Sequence, residues 1–559
     1  MTDSDPMGSL LAAESLSQGN WLKLDHYPTL VKEVLDSRLE VIGGHLYYFF
    51  PIGTSLLVTP VVALLGFLQV DVVTNDDKIQ IALAALAAAA TCLLAYGLAR
   101  RFIGHWSALL LTAAFWFGSS LASTGATALW SHNFAAVFSL SALLALVCGL
   151  QRYKTSCVMV SGVFAAGAVV IRPQLMILAL GIGVLLVFRW RNALFAYTSS
   201  FLILGFGFGI FSQATMGVWV PAYYLPGRLD GGLSWEALLG SVVSPGRGLL
   251  VFTPFLIVVV FFLLLGPVRT KNEWGLVTLG LVWLVGHWVL VSRFWHWWGG
   301  WGYGPRLMMD VLPGLLLVTA VLWPRSTETV RAKASVITFA LLALVSIWIH
   351  TVQGLYNPYT RFWYIQPNID STPEIVWDWS YPQFMASESR HEDREENRLP
   401  VLPPLQRGME YGPKAPELGF VGWSTGFWSP GISLDGFRLG SPPWSSEDKR
   451  RWTEGHRARI VFEMEESSVP EAGGRLALRL DTYGPQEIYA SVNGVAVSTT
   501  LTEAASEEIR EARLSLAIKP NLLHEGRNEL VFLLPGAATV GQVTEFRQIS
   551  LALKQLVLQ

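Results

Sequence analysis

Two arginines, four glycines and five tryptophan or tyrosine residues fall within the single stretch Ser292–Asp310, SRFWHWWGGWGYGPRLMMD, which joins two long apolar runs. Arg293 and Arg306 supply fixed positive charge in the planar geometry that binds phosphate well. Glycine lets a backbone approach a ligand closely. Aromatic rings with one polar edge suit the boundary between lipid and water. An aromatic belt anchoring two helices is the plainer account of this composition. The sharper one is a site where a phosphate-bearing lipid meets a polar substrate.

Other polar groups extend that set: Asp3 and Asp5, Tyr47, His132, Arg172, Arg228, Arg247, and within the aromatic stretch His296, Trp298 and Tyr303. Arg172, Arg247, Arg293 and Arg306 are the candidates for holding a lipid phosphate and stabilising it as a leaving group. Asp3 or Asp5 would take the proton from an attacking hydroxyl or amine. Tyr47, His132, His296, Trp298 and Tyr303 are the candidate substrate contacts. Any one of these arginines alone is more often a headgroup anchor, so the argument lies in their gathering on one side of a membrane. There is no HExxH, paired CxxC, GxSxG or GxxxxGK[ST] pattern. Asp3 and Asp5 without a third ligand leave a divalent metal open and assign none. Cys92, Cys148 and Cys157 all lie in apolar segments, as inert packing cysteines do.

These groups need a membrane to organise them, and the composition provides for one. Of 559 residues, 52% are hydrophobic and 15% charged, and the mean hydropathy is +0.41. That balance describes a multi-pass membrane protein. A formal net charge of −2 lacks the basic surplus that a nucleic-acid partner requires. Ten apolar segments approach the length needed to cross about 30 Å of hydrocarbon: Ile79–Leu98, Trp106–Ala122, Phe134–Leu150, Cys157–Ile171, Leu175–Phe188, Ala193–Phe211, Leu249–Leu265, Gly275–Val291, Leu307–Trp323 and Ser335–Val352. The fourth and fifth are short and meet at Arg172-Pro173.

Lys and Arg cluster on alternate connections, at Arg100-Arg101, Arg152 with Lys154, Arg189 with Arg191, Arg269 with Lys271, and Arg325 with Arg331 and Lys333. Cytoplasmic loops are enriched in these residues. The opposite side, holding His132, Arg172, the aromatic stretch and the C-terminal region, is therefore expected to face out of the cell from its inner or plasma membrane. Pro51–Val70, with two prolines and a glycine in PIGTSLLVTP, reads as a half-embedded juxtamembrane helix. SLLAAESLSQ reads as one amphipathic helix ending near Gly19.

Beyond Val352 the chain turns polar and then alternating. RARIVFEME, RLALRLDTY, EIYASVNGVAVST, ARLSLAI, ELVFLLP and ISLALKQLVL read as strands, and Asn493-Gly494 as a hairpin turn. The expected architecture is an α-helical membrane domain at 51–352 preceded by an external loop at 1–50. A linker at 353–417 then leads to an all-β sandwich at 418–559, of jelly-roll type. Trp423, Trp428, Trp444 and Trp452 are candidates for stacking on sugar rings, against the commoner role of packing.

The run from Thr2-Asp3-Ser4-Asp5 through LKLDHYP to GGHLYYFFPIGTSLLVTP, followed by ALWSHN, VIRPQ, SPGRGLLVFTP and WWGGWGYGPRLMMDVLP, resembles the GT-C superfamily of multispanning glycosyltransferases. The likeness is to bacterial relatives of the protein O-mannosyltransferases, and it covers roughly Met1 to Val352. It implies a polyprenyl-phosphate-linked sugar as donor and an extracytoplasmic acceptor, with transfer of a hexose or pentose on the outer face with inversion. It also implies a catalytic acid in the first external loop, matching Asp3 with Asp5 as the alternative; the acidic pair of the family is here split by Ser4. The juxtamembrane elements of the family match Pro51–Val70, and a soluble outer domain fits the sandwich. Members of the family carry a membrane helix directly before the acidic loop, so the gene product is expected to begin upstream with one further span. A native protein whose first residue is Met1 would contradict this. A transporter or flippase of lipid-linked sugars is the alternative, and it should show a polar path across the membrane.

Overall fold

In the computed structural model the described residues are 4–27, 38–225, 232–265, 270–324, 329–364, 373–387, a few isolated positions, and the strands between 410 and 558 with some of their connections. They form two compact units, one of residues 1–364 and 373–387, the other of 365–372 and 388–559.

The first unit is helical. Its principal helices are α1 (Ser4–Ser17), α2 (Gly53–Phe67), α3 (Asp76–Ala99), α4 (His105–Phe117), α5 (Ser131–Arg152), α6 (Thr155–Ile171), α7 (Met176–Arg189), α8 (Arg191–Met216), α9 (Trp235–Val243), α10 (Phe255–Leu265), α11 (Lys271–Ser292), α12 (Leu312–Leu322) and α13 (Val330–Ile347). All ten apolar segments are helical over most of their length. Among the described residues five helices are long and apolar enough to cross a membrane: α3, α5, α8, α11, and α13 together with the π-helical continuation Trp348–Tyr356. The protein is thus a multi-pass membrane protein of helical type. The other segments are short or broken, and the breaks have local causes. Pro173 and Pro254 cannot continue the helices before them. Gly118 ends α4, and the next turn starts off at 47°. At the start of α11, Thr270 and Glu273 form a reciprocal capping box, each side chain accepting from the other's backbone N–H.

Small residues bring the helices close. A Cβ on Gly162 of α6 would fall 2.1 Å from Ser200 Oγ and 2.5 Å from Tyr197 O of α8. Gly53, first residue of α2, lies against the end of α6, where an added Cβ would fall 2.6 Å from both Ile171 Cα and Val170 O. Backbone cannot yield as a flexible side chain does. Gly53→Ala is therefore expected to cost about 1–3 kcal/mol, as overpacking does, and to disturb the adjoining Arg172. Thermal unfolding in detergent would show it as a lowered midpoint.

Helix α1 departs from the expected amphipathic pattern: residues 6–13 are buried without a break. Its Met7, Leu11 and Ala12 pack with Tyr47, Tyr48 and Ile52, while Leu10 and Ala13 pack with Val58 and Val62 of α2. With partners on both flanks there is no solvent face to mark with polar residues. Between α1 and α2 a short hairpin, β1 (Leu39–Ile42) and β2 (His45–Tyr48), turns through Gly43 and Gly44 at φ 59° and 83°. That is the two-residue turn in which both central residues need positive φ. Helix α2, 15 residues with Pro60 inside, is about 22 Å long and too short to cross hydrocarbon unaided.

The second unit is all-β. Strands β3 (Arg457–Met464), β4 (Gly474–Tyr483), β5 (Tyr489–Val492), β6 (Val495–Glu503), β7 (Ile509–Ile518), β8 (Gly526–Leu533) and β9 (Leu551–Leu558) pair antiparallel in the order β3-β8-β5-β6-β7-β4-β9. Inward residues from both halves of this order, Ile460, Phe462, Leu530 and Phe532 on one side and Leu476, Leu478, Leu514 and Leu516 on the other, share one core. This is the sandwich arrangement. The β5–β6 hairpin turns at Asn493 and Gly494 with φ 49° and 78°, as the Asn-Gly pair predicts. Trp423 and Trp444 lie outside the described residues, as do the side chains of Trp428 and Trp452.

Candidate functional site

Three helix ends converge on one carboxylate. Helices α5 and α6 form an antiparallel hairpin through Tyr153 and Lys154, so the first turn of α5, with Ser131 and His132, lies beside the last of α6, where Arg172 follows Ile171. Arg172 is extended at φ −147°, ψ 107°, as the residue before a proline tends to be, and the 3-10 turn Pro173–Leu175 brings Gln174 round. A second 3-10 turn, Arg306–Val311, carries Asp310 into the same place just before α12.

Asp310 Oδ1 accepts from His132 Nδ1 at 2.8 Å, and Oδ2 accepts from Arg172 Nε at 2.7 Å and from Gln174 Nε2 at 3.1 Å. Arg172 Nη1 also donates to Ser131 Oγ at 2.8 Å. The side chains of Asp310, His132 and Arg172 are 0%, 5% and 9% exposed. A carboxylate among three donors acts only as an acceptor, which fixes His132 as the tautomer protonated on Nδ1. In the neutral imidazole its Nε2 then carries a lone pair, and Asp310 is the ring's hydrogen-bond partner among the described residues.

Arg306 stands beside this cluster. Its guanidinium carbon lies 4.8 Å from the centre of the Trp130 ring, its Nη2 donates to Gly299 O at 2.7 Å, and its Nε is buried without a hydrogen-bond partner. Arg172 is neutralised by Asp310, so the half-buried Arg306 next to His132 adds a positive charge at the edge of the cluster, where it can attract an anion.

Neither a protein-family model nor a curated protein matches the sequence. Among solved structures the chain is similar to the arabinosyltransferase EmbB from Mycobacterium smegmatis, solved by single-particle cryo-EM, at 13% sequence identity and a TM-score of 0.32. The match covers 99% of this chain and 64% of that one, so the chain spans less than two thirds of that protein's length. So distant a likeness assigns neither activity nor substrate.

The remaining sequence-derived candidates divide by what their side chains already do. Arg247 is 2% exposed, and its donors go to the loop itself: Nε to Trp298 O at 2.5 Å, Nη2 to Gly300 O at 2.7 Å, Nη1 to Gly246 O at 2.8 Å and Gln383 Oε1 at 3.0 Å. Its guanidinium also sits 4.5 Å over the Tyr364 ring. It holds the aromatic stretch in shape rather than facing a ligand. The loop needs such a clamp because Gly299, Gly300 and Gly304 all have positive φ, at 72°, 66° and 57°. Tyr303 is buried and donates to Ile349 O at 2.8 Å. Tyr47 is buried and donates to Thr215 O at 3.0 Å. Trp298 is buried, and His296 stacks on Trp295 at 4.9 Å. Arg293 is exposed at the end of α11, apart from the Asp310 cluster in its contacts. Asp3 and Arg228 lie outside the described residues, as does the side chain of Asp5.

Asp310, the hub, is inconspicuous in the sequence because it sits inside LMMDVLP at the head of an apolar run. The signal was there: a carboxylate in such a run requires a partner cation, and Arg172 in VIRPQ is the matching buried cation. His287, one turn before the end of α11, is set against the same segment through Nε2 and Leu307 O at 2.9 Å, which is a packing role. His350 lies between Ser123 Oγ at 2.8 Å and Thr253 Oγ1 at 3.2 Å, tying the π-helical segment to two neighbouring turns.

Proposed function

We propose that this protein is an integral membrane glycosyltransferase that moves a sugar from a polyprenyl-phosphate donor to an extracytoplasmic acceptor, with inversion. The observation that supports the reading is the buried Asp310 cluster with Arg306 beside it, a set of fixed donors and positive charge where several helices end. Arg172 and Arg306 hold the donor phosphate and stabilise the charge it gains on leaving. The Nε2 lone pair of His132 accepts a hydrogen bond from a hydroxyl of the sugar or of the acceptor. The acceptor oxygen forms the new bond to the anomeric carbon from the face opposite the phosphate as the carbon–oxygen bond to the phosphate breaks. The acceptor's proton passes to a carboxylate, for which Asp3 is the candidate, with Asp5 the alternative. The site's partners are thus a lipid-linked sugar, an outer-face acceptor and the bilayer. A divalent metal has no ligand cluster among the described residues.

The assignment of the base is tested in vesicles given a radiolabelled polyprenyl-phosphate sugar. Asp3→Asn or Asp5→Asn should lower turnover by about 10²-fold or more, the usual scale for a lost general base, while donor binding persists. Wild-type turnover in both variants would remove the base from this segment.

A further inference from the structure

Helix α9 (Trp235–Val243) has a covered face and an uncovered one. On the covered side Ala237, Leu238, Gly240 and Ser241 are buried. Gly240 admits no side chain, since a Cβ there would lie 2.1 Å from the Trp297 ring. Trp288 Nε1 donates to Leu238 O at 2.9 Å and to Ser241 Oγ at 3.1 Å. The backbone N–H of the capping Ser234 reaches Ser292 O at 3.3 Å. Trp288 and Ser292 both belong to the C-terminal end of α11, one of the helices long and apolar enough to cross a membrane. Helix α9 is therefore fastened at the level where that helix leaves the hydrocarbon.

The uncovered side is a stripe of large apolar residues at helical spacing, Trp235, Leu239 and Val243, which are 73%, 55% and 41% exposed. On α11 a second row at helical spacing is exposed, Val282, Val285 and Val289, on the same helix as the Trp288 and Ser292 that hold α9. The two rows belong to elements bonded to one another, so the apolar surface continues from the membrane-crossing helix onto α9. Charged Glu236 and Arg293 are exposed beside the N-terminal end of the stripe, where a headgroup layer would meet them.

We propose that α9 is an in-plane helix whose Trp235–Leu239–Val243 face is seated in the phospholipid leaflet at this end of the bundle. Because Trp297 packs on Gly240 of the same helix, the lipid contact also sets the depth of the aromatic loop, and so of the neighbouring arginines, at the headgroup boundary. This inference does not rest on the transferase reading.

Collision accessibility of a nitroxide tests it. Leu239→Cys and Val243→Cys are spin-labelled in a background with Cys92, Cys148 and Cys157 replaced by alanine, in phosphatidylcholine vesicles, with Ser498→Cys on the exposed surface of the β unit as the aqueous reference. The expected result is greater accessibility to oxygen than to a nickel chelate at 239 and 243, and the reverse at 498. Nickel accessibility equal to that at 498 would place the face in water. Low accessibility to both reagents would mean that protein covers it, from a second copy or another chain. Either outcome overturns the proposal. Should the cysteine-free background not fold, Trp235→Phe in the otherwise native chain gives a second reading. Brominated phosphatidylcholine should then quench a smaller share of the tryptophan emission than in wild type, and an unchanged share contradicts a lipid-facing Trp235.

Discussion

Asp310→Ala is expected to destabilise the helical unit by about 3–5 kcal/mol, the usual cost of leaving one partner of a buried ion pair behind, and to abolish sugar transfer. The carboxylate is wholly buried and accepts from three residues, so its loss strands the Arg172 guanidinium and frees both His132 and Gln174. Asp310→Asn keeps the volume but must present an amide N–H to either His132 Nδ1–H or Arg172 Nε–H. That mismatch alone is worth about 1–3 kcal/mol. The double variant Asp310→Ala/Arg172→Met separates fold from chemistry: with the stranded charge gone it should be more stable than Asp310→Ala, yet equally inactive. Thermal unfolding in detergent and turnover in vesicles measure the two effects. A double variant no more stable than the single one would show that the pair does not govern stability.

Arg172→Lys is the second large effect, and here the loss is in rate. Lysine keeps the charge but cannot bond Asp310 through Nε and Ser131 through Nη1 at the same time, as Arg172 does at 2.7 and 2.8 Å. If the planar fork is what meets the leaving phosphate, kcat should fall by about 10²–10³-fold, the scale of losing one pre-oriented donor to a developing anion. The ion pair with Asp310 would survive in altered geometry, so stability should fall far less than in Asp310→Ala. Full activity in the lysine variant would mean that charge alone is in use and that the fixed geometry is not.

These expectations turn on Asp310, a residue whose role the sequence pattern does not mark. The apolar segments were legible because hydrocarbon demands uninterrupted length, and the break at Arg172-Pro173 because proline cannot continue a helix. The Asn493-Gly494 turn was legible because its backbone conformation requires those residue types. Side-chain destinations were not legible in the same way. Arg247, Arg293 and Arg306 are alike in sequence terms, yet one is a clamp on loop carbonyls, one is exposed, and one stands over Trp130 beside the carboxylate. Tyr47 and Tyr303 look like exposed aromatic contacts in a loop and are instead buried donors to Thr215 O and Ile349 O. Each outcome is decided by which carbonyl or ring another segment brings up, from as far as 168 residues away for Tyr47 and Thr215. The burial of α1 is of the same kind: without the hairpin and α2 on its flanks, the SLLAA half of SLLAAESLSQ has no reason to be covered all round. Asp310 was hidden for the opposite reason, an apolar context that reads as span interior until its counter-charge is found.

The most direct test of the central claim follows the chemical fate of a label. Sealed vesicles containing the protein are supplied with a polyprenyl-phosphate sugar labelled in the sugar, together with candidate acceptors, and the lipid, acceptor and aqueous fractions are separated. A transferase releases unlabelled polyprenyl phosphate and delivers the label to an acceptor or to water, and Asp310→Ala abolishes that delivery. Label recovered still joined to its lipid carrier, but moved to the opposite leaflet, would contradict the account and identify a transporter.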